Sequence, residues 1–200
     1  MNPVRTLARG GVAAALLALV PSLVSAHTGV NAAHDLAHGW MHPFVGADHL
    51  LAMVAVGLWA AQRGGRALWL LPLTFVGTMV VGFALAIGGV SVPGVELMIV
   101  GSVLVLGAVV AAAVRMPTPF AALLVAAFAL FHGHAHGAEM PAGMLSVMYG
   151  SGLGVSTALL HGAGIALVLG ARRALVARRV VFERLAGAAV AAAGVLLLLG

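Results

Sequence analysis

The run ALWLLPLTFVGTMVVGFALAIG, residues 67–88, decides the fold of this chain. None of its 22 residues carries a charge. About 20 such residues are what an α-helix needs to cross the ~30 Å hydrocarbon core of a bilayer. Lipid offers no hydrogen bonds to the backbone. A single run of this kind can pair its own N–H and C=O groups only as a helix. We therefore predict a membrane-spanning helix here.

The rest of the chain repeats this pattern. Of its 200 residues, 62% are hydrophobic and 8% are charged, and the mean hydropathy is +1.14. Soluble domains carry about 25% charged residues. Proline, glycine and arginine divide the sequence into six apolar segments, which predicts an all-α, polytopic membrane helix bundle. The predicted spans are residues 42–62, 67–88, 93–114, 118–137, 150–171 and 183–200.

The first 26 residues have the features of a secretory signal peptide. Arg5 and Arg9 form the charged region, residues 12–20 form a short apolar core, and Val24-Ser25-Ala26 offers a small-residue cleavage site. The alternative is an uncleaved first helix, but this apolar stretch is too short to span a bilayer. We expect cleavage, so that one membrane domain, residues 27–200, begins outside the cytoplasm.

Arginine placement predicts the orientation. Outside the leader, all arginines lie near the loops that follow the first, third and fifth spans. The positive-inside rule makes that side cytoplasmic, which puts both mature termini in the periplasm of a bacterial inner-membrane protein. Since orientation explains the net charge of +5, we expect no nucleic-acid partner. These arginines are Arg63, Arg66, Arg115, Arg172, Arg173, Arg178, Arg179 and Arg184.

Histidines and carboxylates sort to the opposite, outer side. On this topology, eight of the nine histidines lie outside the membrane or in its outer third, and His161 lies near the middle. Four carboxylates follow the same bias. Scattered solubilising residues would not sort in this way. The carboxylates are Asp35, Asp48, Glu96 and Glu139.

The first cluster is His42-Pro-Phe-Val-Gly-Ala-Asp48-His49. Pro43 is favoured in a first helical turn, and on a continuous helix His49 would lie two turns below His42 on nearly the same face. An isolated aspartate near the bilayer centre costs about 2.5–3.5 kcal/mol, which a bound cation would offset. The alternative is an Asp–His hydrogen bond that merely holds two helices together.

Three histidines upstream form a second feature. His34, His38 and His42 recur every four residues, so a helix would align their rings in one stripe. We interpret them as a vestibule that gathers metal, with solvated polar residues as the alternative. His27 could add its ring and a free amine after cleavage.

The second cluster, Phe131-His-Gly-His-Ala-His-Gly-Ala-Glu139, ends the fourth span. His132, His136 and Glu139 share one helical face, whereas His134 points elsewhere. The helical rise puts His132 roughly 10 Å below the outer surface, level with Asp48. The two clusters can therefore meet, although a surface metal collector is the alternative.

The fifth predicted span carries a lone histidine and a stripe of small residues. His161 is either a transient metal ligand or a core histidine bonded to a carbonyl. Small residues recur every fourth position at Ala158, Gly162, Ala166 and Gly170, which predicts close helix packing along this stripe.

These motifs resemble the HupE/UreJ family of hydrogenase and urease accessory proteins, nickel/cobalt permeases of bacterial membranes. The family pattern His-Pro-x-x-Gly-x-Asp-His matches at His42, Pro43, Gly46, Asp48 and His49. Its segment His-Gly-x-Ala-His-Gly-x-Glu matches at positions 132–139. The resemblance spans the mature chain.

The resemblance implies nickel uptake for hydrogenase or urease assembly, with His42, Asp48 and His49 essential. We thus expect a permease with Ni²⁺ or Co²⁺ as its substrate, no resident cofactor and no enzymatic activity. Imidazoles with carboxylates suit such ions, but they would equally suit zinc or copper.

Two other classes of function remain open. One is a membrane cytochrome in which paired histidines bind haem. The other is an intramembrane hydrolase that uses Ser151 with His161, but ten helical residues separate the two by about 15 Å.

Overall fold

The computed structural model describes residues 31–200, and seven α-helices with one short 3₁₀ turn make up this region. The predicted leader and His27 lie outside the described residues, so the predictions about them stay predictions. The elements are α1 (Ala32–Met41), the 3₁₀ turn His42–Phe44, α2 (Ala47–Arg63), α3 (Ala67–Ile87), α4 (Val95–Ala111), α5 (Thr118–Ala138), α6 (Ser146–Ala174) and α7 (Arg179–Leu199).

Each of the six predicted spans coincides with a helix, but not all of them meet the length of a span. Helices α3, α5, α6 and α7 are long and apolar enough to cross a membrane, and α1 with α2 forms a bent pair that passes the same test as one span. Helix α4 is shorter, and its 17 residues rise about 26 Å. An all-helical architecture is confirmed over residues 31–200, and several of its helices have the length and composition of membrane spans. The count of six spans stays a prediction.

The helices pack in pairs. Helix α3 lies along α5, α4 along α7, and α6 contacts both α1 and α2. Glycines permit the closest approaches: a Cβ on Gly133 would collide with the Met79 carbonyl, and one on Gly164 with that of Val54. Side chains of the core, such as Trp59 and Phe75, are fully buried inside, while many leucines and valines of α3, α6 and α7 face outward, as lipid contact requires.

The predicted packing stripe on α6 is wrong. Ala158, Gly162, Ala166 and Gly170 all face outward, and no atom lies within 4 Å of a Cβ built on either glycine. The contacts to α1 and α2 use Gly152 and Gly164 instead. Small residues occur on two faces of this helix, and only the position of the neighbouring helices decides which face is buried.

The polar residues separate to opposite ends of the bundle. The loops after α2, α4 and α6 meet at one end around a cavity lined by arginines. The start of α2, the start of α4 and the end of α5 meet at the other end around histidines and carboxylates. The two ends are called the arginine end and the histidine end below.

Candidate metal centre

The two histidine clusters, 83 or more residues apart in sequence, meet at the histidine end. The ring of His49 lies 4.4 Å from that of His136 and 5.0 Å from that of His132, measured between centroids. The ring of His42 lies 5.0 Å from that of His136. The predicted convergence of the clusters is therefore present in the fold.

A sharp bend in the chain brings His42 and His49 to this place. The segment Ala32–Phe44 meets α2 at 80°, and Pro43 lies in the 3₁₀ turn between them. The prediction of one continuous helix from residue 42 is wrong, because α2 starts only at Ala47. His42 therefore approaches His136 from the side, whereas His49 approaches it from the first turn of α2.

Asp48 fixes the orientation of the His49 ring. Nδ1 of His49 donates to Oδ1 of Asp48 at 2.8 Å, and the same oxygen accepts the backbone N–H of His49 at 2.7 Å. The proton is thereby held on Nδ1, and Nε2 keeps its lone pair, buried and without a hydrogen-bond partner among the described residues. A hydrogen bond from the second ring nitrogen to a carboxylate is the arrangement that orients metal-binding imidazoles.

Gly46 makes room for this pair. It is the residue before α2, with φ −94° and ψ 118°, a conformation open to any residue. A Cβ at this position would lie 2.7 Å from Oδ1 of Asp48 and 3.1 Å from Nδ1 of His49. An alanine here would therefore displace the Asp48–His49 pair, although the backbone conformation would accept it.

Helix α5 presents the second cluster as one face. Nδ1 of His132 donates to the carbonyl of Phe128 at 3.0 Å, and its Nε2 is buried without a partner in the part of the chain that the structure describes. Both ring nitrogens of His136 are buried without a partner within residues 31–200. An unpaired buried polar group costs about 1–3 kcal/mol, and such groups call for an explanation such as an ion or water.

Glu139, which follows the last residue of α5, completes this face. Its Oε2 accepts a hydrogen bond from Nε2 of His42 at 2.9 Å. Donor atoms of His42, His136 and Glu139 all lie within 4.8 Å of one another. Ligands at about 2.0–2.2 Å from a metal are at most about 4.4 Å apart, so a small inward movement would let the three hold one ion.

A cavity of about 230 Å³ lies between the clusters. Its polar lining comprises three imidazoles and three carboxylates, and none of the described arginines lines it. Such a cavity concentrates cations because its charges have one sign. These residues are His42, Asp48, His49, Glu96, His136 and Glu139.

Glu96 and Tyr149 belong to this region, although the motifs did not select them. Glu96 lies in the first turn of α4. Its position as a carboxylate at the outer end of an apolar helix is the sequence feature that could have identified it. Tyr149 packs against the rings of His38 and His42 at 6.1 and 5.7 Å between centroids. Its buried hydroxyl has no partner among the described residues, and its sequence context gave no signal.

The remaining upstream histidines lead toward the cavity without lining it. Helix α1 is continuous through Gly39, and the rings of His34 and His38 lie 6.0 Å apart along it. Both residues are exposed, as a vestibule requires. Asp35 links this helix to the start of α6, because its Oδ2 accepts the backbone N–H of Leu145, while its Oδ1 lies 3.6 Å from Nδ1 of His34.

His134 points away from the site, as predicted. Its Nε2 donates to the carbonyl of Val90 at 2.8 Å, on the far side of α5 from His132. It is buried and anchors the loop between α3 and α4, so it is a natural control for the histidines of the site.

His161 lies deeper, behind an aromatic ring. The ring of Phe75 lies 5.4 Å from that of His132 and 5.0 Å from that of His161, and all three side chains are buried. Neither nitrogen of His161 has a hydrogen-bond partner within the described residues. The alternative of a core histidine bonded to a carbonyl is therefore wrong. Ser151 bonds the carbonyl of Val147 and makes no contact with His161.

This sequence is similar to those of known proteins over most of its length. The sequence model of the family described as HupE / UreJ protein matches residues 15–197. The chain is 48% identical over 186 residues to Protein HupE of Rhizobium leguminosarum bv. viciae, covering 93% of this chain and 95% of that protein. No solved structure matches it. With two converging histidine clusters and this likeness over nearly the whole chain, the protein belongs to the HupE / UreJ family.

Proposed function

We propose that this protein is a nickel permease of the bacterial inner membrane, with cobalt as a second substrate, that supplies metal for hydrogenase or urease maturation. The observation that carries the proposal is the convergence of His42, His49, His136 and Glu139 on one cavity at the end of an apolar bundle. Family membership supports the choice of nickel, because imidazole and carboxylate ligands alone would suit several divalent ions.

The cavity has the properties of an entry site for a hydrated cation. Three carboxylates attract the ion, and Nε2 of His49 and the nitrogens of His136 can replace part of its water shell. The exposed rings of His34 and His38 would raise the local metal concentration outside. Transport demands sites that bind firmly enough to admit an ion and weakly enough to release it. The donor atoms of His42, His136 and Glu139, up to 4.8 Å apart, are slightly too far apart for tight binding and therefore suit such a site.

His132 and His161 offer the next positions along the path. Nε2 of His132 is buried and has no partner within residues 31–200, and the Phe75 ring lies between His132 and His161. An ion that leaves the cavity would therefore pass from His49 to His132 and then past an apolar ring. Movement of that ring would open a continuous series of imidazoles.

The competing classes of function fit this geometry less well. Drug-sized ligands already need roughly 300–1,000 Å³, so a haem macrocycle is too large for a cavity of about 230 Å³. A hydrolase would need Ser151 next to a base, and its hydroxyl instead donates within its own helix at an exposed position.

The test is accumulation of radioactive nickel in cells that produce variants at equal membrane levels. We expect Asp48→Asn, His49→Ala and His42→Ala each to reduce uptake by at least about tenfold, the effect of removing a supporting or binding group from a metal site. His34→Ala and His38→Ala should slow uptake mainly at low external nickel.

The control is His134→Ala, which alters a buried histidine on the same helix as His132 but on another face. Uptake by this variant should stay close to that of the unchanged protein. Normal uptake by Asp48→Asn and His49→Ala, or an equal loss in His134→Ala, would refute the proposed site.

A further inference from the structure

The arginine end holds a second polar cavity, larger than the first and of opposite charge. Its volume is about 860 Å³, within the roughly 300–1,000 Å³ of small-molecule sites. Five arginines and one glutamate line it, so four positive charges are in excess. These residues are Arg63, Arg115, Arg172, Arg179, Arg184 and Glu183.

Two of the arginines tie helix ends together. Arg172 donates to Oε1 of Glu183 at 2.8 Å and to the carbonyl of Gln62 at 3.1 Å. Arg63 donates to the carbonyl of Met116 at 2.6 Å and to Oγ1 of Thr118 at 3.3 Å. Glu183 is therefore already neutralised, and these bonds link the helix ends that line the cavity.

The other three arginines have no such role. Arg115, Arg179 and Arg184 are exposed and make no ion pair or side-chain hydrogen bond within the part of the chain that the structure describes. Their guanidinium groups can each present parallel N–H donors to an oxyanion. Nε of Arg63 is also buried at the cavity without a partner among residues 31–200.

Helix termini add to the positive field. Helices α3, α5 and α7 all begin at this cavity, where Ala67, Thr118 and Arg179 line it. None of the three N-termini has a side-chain cap. Unsatisfied backbone N–H groups and the helix dipole make such termini favourable for phosphate.

Membrane orientation alone does not account for this arrangement. The positive-inside rule concerns the side of the membrane on which arginines lie, and it does not demand that they share a cavity. Arg66, Arg173 and Arg178 lie in the same loops and contribute equally to orientation, yet they do not line the cavity. The clustering of the other arginines around one walled space needs a further cause.

We propose that this cavity binds a phosphate-bearing anion, either the headgroup of an anionic phospholipid or a soluble phosphate compound. Arg115, Arg179 and Arg184 contact the phosphate, and the N-termini of α3, α5 and α7 face it. Basic pockets between membrane helices on the cytoplasmic side are suited to lipid phosphates. The site is independent of metal transport and lies at the other end of the bundle.

The experiment compares two triple variants of the full chain, purified in neutral detergent. Arg115→Gln, Arg179→Gln and Arg184→Gln together remove the free arginines of the cavity. Arg66→Gln, Arg173→Gln and Arg178→Gln together are the matched control, because they remove the same charge from the same end of the bundle without altering the lining of the cavity. Binding of cardiolipin, phosphatidylcholine and inorganic pyrophosphate is measured by native mass spectrometry and by the shift in Tm.

We expect cardiolipin or pyrophosphate, but not phosphatidylcholine, to bind the unchanged protein and the control and to raise their Tm. The cavity variant should bind more than about tenfold more weakly, since hydrogen bonds between charged partners are among the strongest in proteins. Binding of cardiolipin alone identifies a lipid, and binding of pyrophosphate identifies a soluble compound.

Either of two results would overturn the proposal: no binding of cardiolipin or pyrophosphate to the unchanged protein, or equal weakening in both triple variants. Equal weakening would mean that general surface charge attracts the anion. The single variant Arg184→Gln, which alters an exposed residue without a partner, repeats the comparison if a triple variant fails to fold.

Discussion

Replacing Gly46 with alanine is the most specific test of how the metal centre is built. The added Cβ would lie 2.7 Å from Oδ1 of Asp48. Ordinary van der Waals contact begins near 3.4 Å, so the carboxylate, with the His49 ring bonded to it, would have to shift by roughly 0.7 Å. Mutating a group that orients a metal ligand typically costs 10–100-fold in affinity, or about 1.4–2.7 kcal/mol. Because Gly46→Ala displaces Asp48 and does not remove it, we expect a loss near the lower end, about tenfold.

The same substitution should have little effect on folding. Backbone angles of −94° and 118° at position 46 are accessible to alanine, so no backbone strain arises. Alanine is a poorer residue than glycine just before a helix, but by no more than about 1 kcal/mol. We therefore expect a Tm lowered by a few degrees at most.

Calorimetric titration of the purified protein with Ni²⁺, paired with thermal unfolding, measures both effects. Gly77→Ala and Gly101→Ala are matched controls, because a Cβ at either position would meet no atom within 4 Å. Both controls should bind nickel normally. An unchanged dissociation constant in a folded Gly46→Ala variant would show that the Asp48–His49 pair does not shape the metal site.

Three further predictions address coupling, the inner path and orientation. If the two clusters hold one ion, the double variant His49→Ala with His132→Ala should weaken nickel binding little more than either single change, as expected of coupled groups. Additive losses of affinity in calorimetry would mean that the clusters form separate sites. Phe75→Leu should leave nickel affinity unchanged. It should raise the initial uptake rate about fivefold if the ring adds about 1 kcal/mol to the barrier for ion passage between His132 and His161. An unaltered uptake rate would mean that the ion takes another path. A reporter active only in the periplasm should work when fused near Ala138 and be silent near Arg178, so activity at the second position would contradict the predicted orientation.

The sequence alone determined the helical membrane architecture, because the bilayer leaves few choices. A run such as residues 67–88 has no other way to satisfy its backbone in lipid, so composition and length were sufficient. The same reasoning located α2 to α7, although it did not assign α1 as a helix and missed the bend before α2. A bend depends on how Pro43 and Gly46 are accommodated against neighbouring side chains, which hydropathy does not record.

The residues that meet at the candidate metal centre were also selected largely from sequence. Spacing of four and three residues on α5 is sufficient to put His132, His136 and Glu139 on one face and His134 on another, since helical geometry is local. Glu96 was not selected, because a lone carboxylate carries no spacing signal. Tyr149 was missed because a single tyrosine in an apolar helix carries no spacing signal either.

Only the tertiary structure decided which of these faces meet. Helices α2 and α5 are not among the helix pairs whose backbones pack closely, yet His49 and His132 bridge the space between them. Likewise, Gly162 and Gly164 are equivalent as small residues, but only Gly164 lies against another helix. In lipid, helix surfaces are uniformly apolar, so hydrophobicity cannot select partners. Close packing and polar contacts make that choice, and both depend on the whole bundle.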